Sequence, residues 1–302
     1  MVIALTGATG FVGRHVTALL ARRGYRLRAL ARHPDRVGSL GGPALELVPG
    51  DLANPTALAT LVRGADAVIH LVGIIVEARG ATFREVHVEG TRRVIAAARE
   101  AGVRRFVHMS AIGARAAPGA TPYHRTKWAA EELVRSAGLP YAILRPSIIS
   151  GPENAPIRLL ARLHRWAPVV PVFGHARFPT QPVWIEDVAL AVARAVEDRA
   201  IVGAFELGGP SVLSYEEFVL AIGRAAHHPR ALLHVPLSLA RAVARGFDVL
   251  GRAAPFTRDQ LQMLVEGSAT PANAIATVFG LTPLAFEEGL RRFLGPQGPR
   301  RG

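Results

Sequence analysis

The chain reads as an α/β protein: a doubly wound parallel sheet followed by a smaller C-terminal α/β lobe. Three observations predict this. Short, nearly continuous apolar runs alternate with amphipathic helical patterns through the first half, as in a parallel sheet covered on both faces. A glycine-rich turn joins the first run to the first helix. After Ser150 the texture changes, with Gly and Pro clustered at Gly151-Pro152 and again over Pro168–Pro171.

The elements follow in order. Val2–Leu5 is a strand, and Phe11, Val12, Val16, Leu19 and Leu20 form one face of a helix. Leu27–Ala31 and Leu45–Val48 are the next strands, then a short helix over Thr56–Val62 and a strand over Ala67–Val72. A longer helix spans Thr82–Ala101, followed by the strand Arg105–Met109. A helix from Tyr123 to Ala137 stops at Gly138, and Tyr141–Leu144 is the strand beyond it. In the second half, helices are expected over Ile157–Trp166, Ile185–Val196 and Tyr215–Ala226. Ala231–Phe256 is one long apolar, arginine-rich stretch. The expected domains are a nucleotide-binding core over 1–150 and a C-terminal lobe over 151–294. Residues 182–207 return to the core, and a disordered tail covers 295–302.

Composition narrows the function. There are 302 residues, 50% hydrophobic, with no cysteine, which excludes disulfides and thiolate chemistry. No apolar run is long enough for a spanning helix. The strand that begins at Val2 leaves no room for a signal or transit peptide, so a cytoplasmic location is expected. The net charge is +13, carried by 36 basic groups of which only Lys127 is lysine. Residues 1–150 hold 20 basic and 10 acidic groups, the remainder 16 and 13. That excess suits a polyphosphate ligand, although a solvated basic surface explains most individual arginines. Nucleic acid is not expected, because no basic stripe carries interleaved aromatics. The histidines show no metal-ligand spacing with carboxylates, so no metal site is expected.

The strongest local motif is Thr6-Gly7-Ala8-Thr9-Gly10-Phe11-Val12-Gly13. Glycines at 7, 10 and 13 allow a tight strand-to-helix turn, close approach of backbone to a pyrophosphate, and close packing of helix on sheet. The helix start then offers unpaired N–H groups to the phosphates. This makes the core Rossmann-type. Arg32, just past the second strand, and Arg14, just past the last glycine, favour the 2′-phosphate of NADP(H), with NAD(H) as the alternative. Asp35 lies beyond Pro34, too far along to serve the ribose. Gly50-Asp51-Leu52 follows the third strand, where Asp51 can accept from the adenine amine. Leu71-Val72-Gly73 follows the fourth, where a small residue lets backbone pass close to a cofactor.

Tyr123 and Lys127 stand one helical turn apart on the same face. A neighbouring ammonium favours phenolate and lowers the tyrosine pKa, making an acid or base for catalysis. Together with Ser110 at a strand end, these motifs resemble the short-chain dehydrogenase/reductase superfamily. Leu144-Arg145-Pro146-Ser147 with Gly151-Pro152 resembles its extended, epimerase/dehydratase branch. His87-Val88-Glu89-Gly90-Thr91, His108-Met109-Ser110-Ala111, Gln181–Val188 and Thr257–Leu261 are similar to an atypical subgroup related to the nucleotide-binding accessory subunit of respiratory complex I. The resemblance implies Tyr123 as proton donor or acceptor and Lys127 as holder of the nicotinamide ribose. It implies Ser110 as hydrogen-bond partner of the reacting carbonyl or alcohol, with Pro146 and Ser147 walling the nicotinamide pocket. Two positions depart from the pattern. His87 stands where extended enzymes usually carry Asn, and Ser110 is a single serine with Ala111 beside it, so it could equally cap the strand.

Two functions therefore stay open. One is an NADP(H)-dependent oxidoreductase or epimerase acting on an unidentified small carbonyl or alcohol. The other is a non-catalytic NADP(H)-binding accessory or assembly factor that contacts a membrane or respiratory complex peripherally. The stretch Ala231–Pro255, with Leu237, Leu239, Val243 and Phe247 among Arg230, Arg241, Arg245 and Arg252, reads either as an interfacial helix or as one buried in the lobe.

Overall fold

A computed structural model describes residues 1–34, 37, 40, 42–78, 80–247 and 256–295. Its first half contains β1 (Val2–Thr6), α1 (Phe11–Arg22), β2 (Arg26–Ala31), β3 (Leu45–Pro49), α2 (Pro55–Val62), β4 (Ala67–His70), α3 (Gly90–Glu100), β5 (Phe106–Met109), α4 (Pro122–Arg135) and β6 (Tyr141–Pro146). Beyond Pro146 come β7 (Ile149–Ser150), α5 (Ala155–Trp166), β8 (Val169–Phe173), β9 (Pro179–Thr180), β10 (Val183–Trp184), α6 (Ile185–Glu197) and β11 (Gly203–Leu207). The chain continues through β12 (Leu213–Ser214), α7 (Tyr215–Ala225), β13 (Ala231–Val235), α8 (Leu237–Phe247), α9 (Arg258–Glu266), α10 (Ala274–Thr277) and α11 (Phe286–Leu294).

Seven strands form one sheet in the order β11-β6-β5-β4-β1-β2-β3, every pair parallel. The chain winds outward from β1 to β3, then restarts at β4 on the other side of β1. In open sheets of this kind the ligand crevice lies outside such a reversal, here at the C-terminal ends of β1 and β4. Alternation along the strands decides which face each residue serves. Ile3 and Leu5 of β1 join Val16 and Leu20 of α1 and Val188 and Val192 of α6 on one face. Ala4, between them, joins Leu58, Leu61, Val94 and Val134 of α2, α3 and α4 on the other. A third core, built on Ile157, Val170, Val172, Phe218, Ile222 and Leu290, belongs to the C-terminal lobe. After residue 182, α6 covers the main sheet, β11 extends its edge beside β6, and Val183 of β10 and Ala274 and Ile275 of α10 join the same core.

Two stretches differ from their periodicity. The helix expected over Thr82–Ala101 begins with a wide π-turn, Arg84–Glu89, before α3 proper. Gly90 follows it, and a Cβ there would lie 2.7 Å from Leu52 Cδ1. The stretch from Ala231 is not one helix, because its first five residues form β13 beside β8 and Pro236 separates them from α8. Asp35, residues 248–255 of that stretch and residues 296–302 of the expected tail lie outside the described residues.

Candidate nucleotide and proton-transfer site

The crevice is lined first by the turn after β1. Gly7 sits at φ +81°, a conformation only glycine adopts freely, and a Cβ on it would lie 3.0 Å from the backbone of Leu71 and Val72. Leu71 N–H donates to the Thr6 carbonyl at 3.0 Å, which ties the ends of β4 and β1 together. Gly10 N–H donates to Gly7 O at 3.0 Å, and a Cβ on Gly13 would fall 2.0 Å from that same oxygen. The α1 start thus lies hard against the turn. No side chain caps it and no acidic residue stands in its first turn, so its N–H groups and positive dipole end remain available to an anion. Thr9 and Gly10 are exposed, Phe11 and Val12 half-buried, and Phe11 packs on Gly151. These features fit a dinucleotide diphosphate.

The remaining cofactor candidates surround that turn. Arg14 is exposed and donates from Nε to Thr9 O at 3.1 Å. Arg32 follows β2, exposed and without a hydrogen-bond or ion-pair partner among the described residues. Asp51 closes a turn by accepting from Ala53 N at 2.9 Å, and Leu52 reaches under Gly90. Pro146 accepts from Ile112 N at 3.1 Å, and the Ser147 hydroxyl donates to the Ser268 carbonyl.

Helix α4 presents the reactive pair. Thr121 caps it by accepting from His124 N at 3.2 Å, and Pro122 follows as the first helical residue. Tyr123 therefore stands in the first turn and Lys127 in the second. Lys127 is buried, donates from Nζ to Met109 O at 3.0 Å, and lies so close to Gly73 that a Cβ there would be 2.9 Å from Nζ. The glycine after β4 is thus the residue that leaves the ammonium open toward the crevice. Burial lowers Lys127 to about 8, while Glu131 acts in the opposite direction. Tyr123 is half-buried against Phe83 and His87, with ring centroids 5.9 and 5.6 Å away, and its hydroxyl has no partner among the described residues. The lowered phenol expected from the neighbouring cation is not what the geometry produces. Burial pushes Tyr123 up to about 12, and no offsetting pull from the Lys127 ammonium accompanies it.

Ser110 faces elsewhere. Its hydroxyl donates to Glu131 Oε1 at 2.6 Å, inside a carboxylate cage completed by Arg145 at 2.8 and 2.6 Å and Arg135 at 2.6 Å. With its proton committed there, Ser110 braces the end of β5 against α4 and does not donate into the crevice in this conformation. Glu131 is fully buried and was missed in the sequence, although it stands one turn beyond Lys127 on the same face.

A histidine ladder lies behind the pair. His87 Nε2 accepts from Ile74 N at 3.1 Å, so in neutral imidazole Nδ1 carries the proton and donates to Thr126 Oγ1 at 3.0 Å. Burial pushes His87 down to about 2. Both nitrogens are occupied, which makes His87 a clamp on the segment after β4 and leaves it no free site for a relay. His70 joins Thr6 at 2.6 Å to Thr91 at 3.0 Å and stacks on His108 at 5.5 Å. His108 is buried with neither nitrogen bonded. Among the described residues no group of three or more His, Asp or Glu is arranged to hold a metal ion, and no helix is long and apolar enough to cross a membrane.

The chain is similar to several known proteins. A ceramide reductase of Caulobacter vibrioides is 37% identical over 188 residues, 62% of this chain and 58% of its own. A mitochondrial NADH dehydrogenase [ubiquinone] 1 alpha subcomplex subunit 9 of Arabidopsis thaliana is 26% identical, covering 91% of this chain and 72% of its own length. Sterol demethylase protein B of Methylococcus capsulatus is 28% identical, with 94% of each covered. The chain thus spans less than two thirds of the ceramide reductase. Among solved structures, the NAD complex of Thermus thermophilus UDP-glucose 4-epimerase superposes with a TM-score of 0.76 at 21% identity, covering 97% and 98% of the two chains, which shows the shared fold. Residues 7–199 match the NAD(P)H-binding family, and the chain belongs to that family, with the doubly wound fold of the short-chain dehydrogenase/reductase type.

Proposed function

We propose that the protein is an NADP(H)-dependent oxidoreductase or epimerase acting on a small carbonyl or alcohol, with Tyr123 exchanging the substrate proton. One observation carries the reading. On a single helix face, an unpartnered tyrosine hydroxyl stands one turn from a buried ammonium that Gly73 leaves open to the crevice. Gly7, Thr9, Gly10, Phe11, Val12, Gly13 and Arg14 would hold the diphosphate, and Arg32 the 2′-phosphate. Asp51 and Leu52 would border the adenine, Leu71, Val72 and Gly73 the crevice floor, and Pro146 and Ser147 the nicotinamide. The nucleotide, when bound, supplies or accepts the hydride.

The residues supply the rest. Lys127 would donate to the ribose and fix the nucleotide against α4. Tyr123, which burial pushes up to about 12, would be protonated at neutral pH and able to give its proton to a reacting oxygen. Ser110 would act by fixing Glu131 and the end of β5. Residues 151–294 would form the substrate or docking lobe.

The test is a hydride-transfer screen across ketones, quinones and nucleotide sugars, run on wild type and Tyr123→Phe with the bound nucleotide identified by mass spectrometry. Turnover lost in Tyr123→Phe with nucleotide retained is the expected result. Nucleotide without Tyr123-dependent turnover would favour the second reading, an accessory factor of a complex I-type assembly. The resemblance of nearly the whole chain to an NADH dehydrogenase subunit supports that alternative.

A further inference from the structure

The elements α5, β8, β13 and α8 lie in two stretches, residues 155–173 and 229–247. Together these hold Arg158, Arg162, Arg165, Arg230, Arg241 and Arg245 and not one aspartate or glutamate. All six arginines are exposed, and among the described residues none pairs with a carboxylate. Elsewhere the chain mixes its charges, and its surface arginines commonly meet acids, as Arg23 meets Glu197 and Arg224 meets Glu287.

The same elements turn large apolar groups outward. Trp166 is 77% exposed, Leu233 53% and Leu239 54%, with Val169 and Val243 exposed beside them. The register of β8 with β13 places Val169 opposite Ala231 and Pro171 opposite Leu233, so Val169 and Leu233 share one face. Arg230 Nε donates to His164 O at 3.1 Å, which ties the start of β13 to the end of α5 that carries Trp166. Arg165 lies 5.2 Å from the Trp166 ring centre. On α8, Ala240 and Ala244 are buried, whereas Leu239 and Val243, one turn apart, face outward with Arg241 and Arg245 alongside.

We propose that this lobe docks on an anionic lipid bilayer surface. An exposed indole and scattered leucines suit the acyl–headgroup boundary, and guanidinium groups on long stems reach the phosphates above it. The lack of any carboxylate over both stretches matches a diffuse negative surface better than a protein partner, whose contact face would carry its own fixed pattern of charges. The inference does not depend on turnover at Tyr123.

Vesicle flotation of the full chain tests it, using phosphatidylcholine with and without phosphatidylglycerol. The protein should float only with phosphatidylglycerol vesicles, less so as salt rises, and its tryptophan emission should shift to the blue. Trp166→Phe should remove that shift. Arg241→Gln with Arg245→Gln should weaken partitioning about fivefold for each arginine removed. Leu239→Glu with Val243→Glu, both at exposed positions, should abolish flotation without altering the melting temperature. Failure to float at low salt overturns the proposal, as does flotation of the arginine or glutamate variants equal to wild type. A blue shift seen with native membranes but not with protein-free vesicles of their extracted lipids would assign the face to a protein and equally overturn it.

Discussion

Glu131 accepts from Ser110, from Arg145 twice and from Arg135, all within 2.8 Å and with no solvent contact. Removing its charge leaves Arg145 of β6 with only Glu206, at 3.6 Å, and Arg135 of α4 with only the exposed Glu132. Glu131→Gln should therefore lower unfolding free energy by about 3 kcal/mol in urea titration. Ser110→Ala should cost only about 1 kcal/mol. It should also spare any hydride transfer, whereas a serine reacting with substrate would lose turnover. Lys127 gives a second prediction. Its ammonium is charged below about 8 and neutral above, so nucleotide affinity should fall as pH rises through that value, and Lys127→Met should be weak and flat with pH. The tyrosine–lysine spacing was legible in the sequence because helical periodicity alone places the two on one face. The serine's true partner was not legible. Whether its hydroxyl turns to the crevice or to Glu131 depends on Arg145 arriving from another strand.

At the level of elements, glycines decide what can approach what. Gly73→Ala puts a Cβ 2.9 Å from Lys127 Nζ; it should weaken nucleotide binding measured by calorimetry while leaving the circular dichroism melt near wild type, since Gly73 is exposed. Strands and helices of the first half follow their apolar spacing to within a few residues, because each buries one face against one partner layer. The π-turn ahead of α3 was not legible, since one wide turn leaves the apolar spacing of a helix almost unchanged. Nor was β13, whose apolar residues carry no alternation strong enough to tell a strand from a helix.

Across the whole molecule, three neutral histidines sit at the heart of the sheet and its π-turn. Burial lowers His70 to about 3, His87 to about 2 and His108 well below its ordinary value. The unfolded chain protonates these rings below 6.5, and the folded one does not. Stability is thus whole above 6.5 and is lost as pH falls toward about 3, at about 1.4 kcal/mol per pH unit for each ring. Urea midpoints should decline steeply between about pH 6.5 and 5. His108→Leu, which removes a ring with no hydrogen bond to lose, should make that decline shallower, with His70, His87 and the burial-lowered His124 and His164 carrying the rest. A midpoint flat over the same range would contradict the assignment. The three cores, and the crevice they leave at the end of β1 and β4, bear on one claim above all: that this edge of the sheet holds a dinucleotide. NADPH fluorescence titrated into wild type and Gly13→Val measures it most directly. Saturable one-site binding in wild type and none in the variant, whose side chain would fill the space beside the Gly7 carbonyl, is the predicted result. Equal binding by both proteins, or by neither, would contradict it.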